Sequence, residues 1–265
     1  GCIALSGAQM VPITLRPQDS GRYEFDADEL RKSITPKTRM ILVNSPHNPT
    51  GSVFTLEELQ IIAAVAIDND LIVISDEVYE HLIFDNKKHN PIATLPGMFE
   101  RTITISSGGK SFNTTGWKIG WACAPAPLIN ATRMAKQLFT FAGGSPFQPA
   151  IAAGLRLPDS YFVALATDLQ NKRDVLMQAL DECGLRPITP EGTYFITADI
   201  RGRRPDGDGV AFCRELPGQA GIVAIPAAVL YDPRHESEGR HLVRFAFCKE
   251  LSTISRASEQ LRAWA

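Results

Sequence analysis

Along the first half of the chain, short apolar runs alternate with amphipathic stretches, the pattern of helices packed on a mostly parallel sheet. Met40-Ile41-Leu42-Val43-Asn44 reads as a buried strand. Ser45-Pro46-His47-Asn48-Pro49-Thr50-Gly51 follows as a loop, because two prolines and a glycine break regular structure. Thr55-Leu56-Glu57-Glu58 has the form of a capping box, opening a helix with Leu59, Ile62 and Ala66 on one face. Leu71 to Ile74 is the next strand and Thr102 to Ser106 a third. Each strand ends on polar residues: Asn44, Asp76, and Ser106 with Ser107. Ligands of open α/β sheets lie outside the carboxyl ends of the strands, so three polar ends on one edge predict a site. Polar residues that merely begin loops are the plainer reading of any one of them.

Around Gly143-Gly144-Ser145-Pro146 and Leu157-Pro158-Asp159 the texture changes. A long helix follows, with Phe162, Leu165, Leu169, Leu176 and Leu180 on a common face and Gly184 as its stop. Beyond it the pattern predicts a strand at Thr193 to Ala198, a polar loop at Arg201 to Gly209 and a short helix around Phe212. Strands at Gly221 to Ile225 and Leu242 to Phe247 and a terminal helix complete it. This divides the chain into a large α/β portion, residues 1–157, and a small α+β domain, residues 158–265, entered by a hinge helix. No internal repeat is present.

Composition narrows the field. A hydrophobic fraction of 44% and a charged fraction of 21% are those of a soluble globular protein. A net charge of −2 offers no long-range attraction for nucleic acid or an anionic membrane. The five cysteines are odd in number and widely spaced, with no C-x-x-C pair, which reads as reduced thiols of a cytoplasmic protein. Histidines are scarce and scattered, so no metal cluster is expected. Ile61 to Ile67, the longest apolar run, is far too short to span a bilayer, and no signal peptide is visible. The chain opens Gly1-Cys2-Ile3-Ala4-Leu5, without Met, and reads as a fragment or processed product entered mid-domain.

The densest chemistry lies in Ser106-Ser107-Gly108-Gly109-Lys110-Ser111, followed by Gly116-Trp117-Lys118-Ile119-Gly120-Trp121. Lys110 has two readings. A surface lysine in a Gly/Ser loop is the ordinary fate of the residue. The alternative is a Schiff-base lysine made nucleophilic by neighbouring cations and limited solvent, with glycines before it that let the backbone approach a flat cofactor. Ser107 and Lys118 could both reach a phosphate. Neither G-x-x-x-x-G-K-[ST] nor G-x-G-x-x-G is present, which removes P-loop and dinucleotide readings.

Taken in order, Asn44-Ser45-Pro46-His47-Asn48-Pro49-Thr50-Gly51, Ser75-Asp76-Glu77-Val78-Tyr79-Glu80-His81, the Lys110 segment and Val243-Arg244-Phe245-Ala246-Phe247 resemble the class I/II aminotransferases. The resemblance implies the pyridoxal 5'-phosphate (PLP)-dependent transferase fold type I, PLP as cofactor and amino acid and 2-oxo acid substrates. It also implies a homodimer whose sites are shared between subunits. By the same resemblance Lys110 carries PLP and moves the proton from the substrate's Cα, and Asp76 pairs with the pyridine nitrogen. Asn48 and Tyr79 bond the phenolate oxygen, Ser107 and Lys118 hold the phosphate, and Arg244 clamps the substrate carboxylate. Many relatives carry Arg where Lys118 stands, so a bidentate fork is lost but the charge kept.

Each residue also has a structural alternative. Asn48 before proline is a turn-former, Asp76 a helix cap, Tyr79 a half-buried core aromatic, and Arg244, costly if unpaired in an apolar strand, a partner in an ion pair. Tyr194 lies near the site with no role attached. Within the family, Thr115-Gly116-Trp117-Lys118-Ile119-Gly120-Trp121 is similar to the kynurenine aminotransferase/cysteine-conjugate β-lyase and bacterial N-succinyldiaminopimelate aminotransferase subgroup. Residues 135–149 and 241–249 look most like the latter, an enzyme of lysine biosynthesis. Members of the family carry a further region upstream, with a phosphate-binding loop and a ring-stacking aromatic. The expectation is therefore that this chain alone binds PLP weakly or not at all and shows little transaminase activity. A β-lyase or decarboxylase on the same scaffold, and a non-catalytic remnant, are the competing readings.

Overall fold

The computed structural model describes residues 2–265, with strands distributed over three sheets. A short helix, α1 (Cys2–Leu5), precedes a hairpin of β1 (Leu15–Pro17) and β2 (Tyr23–Phe25), and α2 (Ala27–Ser33) follows. Next come β3 (Met40–Asn44), α3 (Leu56–Asp68), β4 (Ile72–Asp76), β5 (Thr102–Ser107), the single-turn α4 (Gly108–Ser111) and β6 (Gly120–Cys123). These four strands form one sheet in the order β3-β4-β5-β6, parallel except for β6. The capping box is present: Thr55 accepts from the Glu58 amide while Glu58 reaches back to Thr55 N–H.

Leu59, Ile62, Ala63 and Ala66 of α3 pack with Val43 and Val73 into one core. Only that face of β3 is covered. Met40 and Leu42, on the other face, are 52% and 57% exposed, so the strand is not buried as its unbroken apolar run suggests. An edge strand with a helix on one side shows alternation that a run of apolar letters conceals.

The helices α5 (Ala126–Phe139), α6 (Gln148–Gly154) and α7 (Asp159–Glu182) lead to the second half. There β7 (Arg186–Ile188), β8 (Phe195–Asp199), α8 (Gly209–Ala220), β9 (Ile225–Pro226), α9 (Glu236–Gly239), β10 (Leu242–Ala246) and α10 (Leu251–Trp264) follow. Their strands form an antiparallel sheet in the order β7-β8-β10-β9. Gly184, at φ +81°, ends the turn after α7 as expected.

Two expected strands are shorter than their apolar runs. Gly221 takes a left-handed conformation (φ +68°) that terminates α8, so only Ile225 and Pro226 remain to pair with β10. Thr193, also left-handed, delays β8 to Phe195.

The hairpin β1–β2 crosses to the second sheet. Tyr23 is 1% exposed against Ala227 and Leu242, and its hydroxyl bonds the Thr197 hydroxyl at 3.0 Å. Arg22 beside it donates to Glu58, Glu191 and the Val53 carbonyl, tying the hairpin to α3 and to the turn before β8. On α7 the apolar face carries a buried arginine, Arg173. It is paired with Asp85 and Asp174, bonded to the Pro190 carbonyl and stacked over Phe84.

Candidate functional site

Parallel pairing in register sets Asn44 beside Asp76 and Asp76 beside Ile105, so the carboxyl ends of β3, β4 and β5 open on one edge. Asn44 works both sides of that edge. Its Nδ2 donates to the Asp76 carbonyl at 2.9 Å and its Oδ1 accepts the Asn48 amide at 2.9 Å, which folds the 45–51 loop over the strand ends. The loop closes at Gly51 (φ +74°), where a Cβ would lie 2.3 Å from Pro190 Cβ. Its carbonyl accepts the amides of Glu191 and Gly192, which joins the loop to the turn before β8.

Lys110 follows β5 on the single turn α4. The two glycines before it are closely packed: a Cβ on Gly108 would meet the Ile151 side chain at 2.5 Å, and one on Gly109 the Thr115 Cα at 3.2 Å. The Lys110 amine is flanked by phenols, donating to Tyr194 Oη at 2.9 Å with Nζ 5.7 Å from the Tyr79 ring centre. Burial, reinforced by Tyr194, pushes the Tyr79 phenol above its usual range. Tyr79 also sits in the main core cluster, so the core-aromatic alternative describes its ring if not its hydroxyl.

Asp76 is half-buried and forms no ion pair among the described residues. Its Oδ1 accepts the Val78 amide at 3.2 Å, closing a turn; no helix starts there, so the helix-cap alternative does not hold. Burial raises its carboxyl above the usual carboxylate range, with Glu77 adding to this, while the Val78 amide and the Lys110 charge oppose it.

Arg244 projects from β10, where it pairs in register with Thr197 and Ile225. Its Nη1 donates to Asn48 Oδ1 at 2.8 Å and its guanidinium lies 4.1 Å from the centre of the Phe195 ring. Burial lowers its pKa, and among the described residues no carboxylate pairs with it. The ion-pair alternative therefore has no partner.

Ser107 caps α4 by position, yet its hydroxyl makes no cap hydrogen bond. The antiparallel pairing of Ser107 with Gly120 brings Lys118 to the same end of the sheet. Lys118 is exposed, held at φ +56° after Trp117, which stacks on Phe147 at 4.7 Å. Neither Ser107 Oγ nor Lys118 Nζ forms a hydrogen bond with Asn48, Tyr79, Lys110, Tyr194 or Arg244.

Comparison with known proteins decides the family. The profile described as "Aminotransferase class I and II" matches residues 1–250. The chain belongs to the class I and II aminotransferases. It is 46% identical over 269 residues to the probable N-succinyldiaminopimelate aminotransferase of Mycobacterium tuberculosis, covering 99% of this chain and 67% of that one. It is 40% identical to the kynurenine–oxoglutarate transaminase of Dictyostelium discoideum, covering 98% and 67%. The solved N-succinyldiaminopimelate aminotransferase of M. tuberculosis superimposes with a TM-score of 0.93 at 47% identity, again over 99% and 67%. The chain thus spans about two thirds of the length of these relatives. The fold is the type I PLP-dependent transferase fold, and the cofactor of the family is PLP.

Around this cluster lie residues to which the sequence attached no role. Glu77, 2% exposed, accepts from the Ser75 hydroxyl at 2.8 Å and pairs with His89 at 2.7 Å, directly beside Asp76. An acidic residue following Asp76 at a strand end was the available signal, since a buried carboxylate demands a partner. Ser106 bonds Glu80 at 2.9 Å, and His81 stacks on Phe162 at 4.0 Å. Tyr194 carried a signal only through its place in Gly192-Thr193-Tyr194-Phe195.

Proposed function

We propose that this aminotransferase moves an amino group between an N-succinylated diaminopimelate-type amino acid and 2-oxoglutarate. Lys110 carries PLP, Asp76 faces the pyridine nitrogen, Asn48 and Tyr79 face the phenolate oxygen, Ser107 and Lys118 hold the phosphate, and Arg244 takes the substrate carboxylate. The observation that carries the reading is charge arithmetic at the sheet edge. A half-buried carboxylate that forms no ion pair among the described residues and a half-buried guanidinium with no carboxylate partner lie in the cluster that holds the Lys110 amine. Such groups are costly unless a ligand supplies the opposite charges, and PLP with an amino acid supplies both. The donor set therefore fits the cofactor.

Bound PLP supplies an electron sink for charge developing at the substrate's Cα. The chain's residues do the rest. Arg244 fixes the substrate carboxylate, Lys110 takes and returns the Cα proton, and Asp76 keeps the ring nitrogen protonated by remaining ionised. The higher identity to the N-succinyldiaminopimelate enzyme than to the kynurenine transaminase, 46% against 40%, favours the first substrate class. The second reading is kynurenine transamination or cysteine-conjugate β-elimination.

The test is transfer of ¹⁵N from labelled glutamate to a panel of 2-oxo acids, read by mass spectrometry. Label in N-succinyl-2,6-diaminopimelate, formed from N-succinyl-2-amino-6-oxopimelate as acceptor, supports the reading. Label only in kynurenate precursors, or ammonia release without transfer, overturns it in favour of the alternatives.

Asp76 makes the cofactor acid-sensitive. Its pKa in the folded protein is raised, so the ionised form is costly there and a cationic ring offsets that cost. PLP affinity should fall as pH drops through that raised pKa, above the range of an ordinary carboxylate, and recover on neutralisation. Equilibrium absorbance measured against pH checks it; an affinity flat down to the ordinary range overturns it.

A homodimer is part of the proposal. Helix α5 has no buried residue and leaves Leu138 and Phe139 89% and 87% exposed, an apolar face suited to a second copy. Cytoplasmic location is proposed from the widely spaced free thiols. No helix among the described residues is long and apolar enough to cross a membrane.

A further inference from the structure

Tyr194 has no part in the roles assigned above, yet it touches the residue at their centre. Its hydroxyl is the one hydrogen-bond partner of the Lys110 amine among the described residues, at 2.9 Å across 84 positions of sequence. Its ring meets Tyr79 edge-on at 5.5 Å and lies 4.6 Å from Phe195, the ring beneath the Arg244 guanidinium. One phenol thus stands in the row that runs from the lysine to the arginine.

The backbone holds it there under strain. Thr193 is fully buried and sits at φ +69°, a conformation a β-branched residue seldom adopts and keeps only where its surroundings impose it. Those surroundings are visible. Thr193 N–H donates to the Leu82 carbonyl at 2.9 Å, and Gly192 is packed so tightly that a Cβ would lie 2.7 Å from the same oxygen. The Glu191 and Gly192 amides donate to the Gly51 carbonyl. The turn is clamped between the loop that carries Asn48 and the segment that follows Tyr79, and its product is the placement of the Tyr194 hydroxyl against Lys110.

We propose that Tyr194 is a positioning residue for proton transfer by Lys110, an inference that rests on the aminotransferase reading. Its oxygen accepts one N–H of the amine and turns the nitrogen toward the Arg244 side of the site, where a substrate anchored by its carboxylate presents its Cα. In the step itself the Cα–H bond breaks, an Nζ–H bond forms, and the electron pair remains with the substrate. Tyr194 neither gains nor loses a proton.

Tyr194→Phe keeps the ring contacts with Tyr79 and Phe195 and removes the oxygen alone. In the PLP-loaded protein, kcat should fall about tenfold, the size of one hydrogen bond to a charged group. KM for the amino donor should stay within about twofold, since ground-state binding is untouched. The isotope effect with Cα-deuterated donor should rise, because proton transfer becomes more nearly limiting. In the cofactor-free protein, acylation of Lys110 at fixed pH, mapped by mass spectrometry, should quicken severalfold. The phenol oxygen ties up the amine through its hydrogen bond, and its removal leaves the nitrogen free to meet the reagent.

An unchanged isotope effect together with an unchanged acylation rate, in a protein that transfers amino groups, overturns this inference alone. Absence of amino transfer in the unsubstituted protein overturns the parent reading and the inference with it.

Discussion

Lys110→Ala should abolish amino transfer, with a loss of at least about a thousandfold in kcat/KM. Positioned acid–base catalysis contributes on the order of 10²–10⁴, and here the same amine also anchors the cofactor, so two functions fall together. Borohydride reduction of the PLP-treated protein followed by peptide mapping gives a second, independent reading. The reduced adduct should appear on Lys110 in the unsubstituted protein and on no residue in the variant. Lys118 is the informative control because it is exposed and close to the same sheet end. An adduct on Lys118, or activity retained within tenfold in Lys110→Ala, would falsify the assignment. The fold should tolerate the change, since the Lys110 side chain makes a single hydrogen bond among the described residues, to Tyr194.

Arg244→Met should separate activity from stability. Removing one partner of a desolvated charge pair costs about 2–5 kcal/mol, so kcat/KM for an amino acid should drop by roughly 30-fold or more, mostly through KM. Stability of the cofactor-free protein should hold or rise. Burial lowers the Arg244 pKa and no carboxylate compensates it, whereas Met retains the apolar contact with Phe195. A structural ion pair would give the opposite result, a lower melting temperature with KM unchanged. Thermal unfolding and steady-state kinetics on the same preparation distinguish the two.

Much of the site was legible because its signals are local. Two prolines and a glycine make 45–51 a loop whatever surrounds it, and Thr55 with Glu58 is a capping box within one turn of chain. Polar residues at the ends of three apolar runs pointed to one edge, and the parallel register brings Asn44 and Asp76 side by side there. The motif order carried the family, and the reach of α7 up to Gly184 followed from spacing alone.

What sequence could not supply is set by contacts between distant positions. Tyr23 meets Thr197, Arg22 meets Glu191, and Lys110 meets Tyr194; no local pattern encodes any of these pairs. Apolar runs overstated the burial of the strand at 40–44 and the length of the one at 221–225, because burial on one face or two depends on which element lies opposite, and Gly221 ends a helix only once α8 is in place. Arg173 reads as a break in an apolar face until Asp85, Asp174 and the Pro190 carbonyl surround it. By itself the sequence determined the residue types, their order along the strand ends and the family they belong to. Tertiary structure decided which charges lack partners and which phenol holds the lysine, since desolvation and hydrogen-bond geometry exist only once segments far apart in the chain have met.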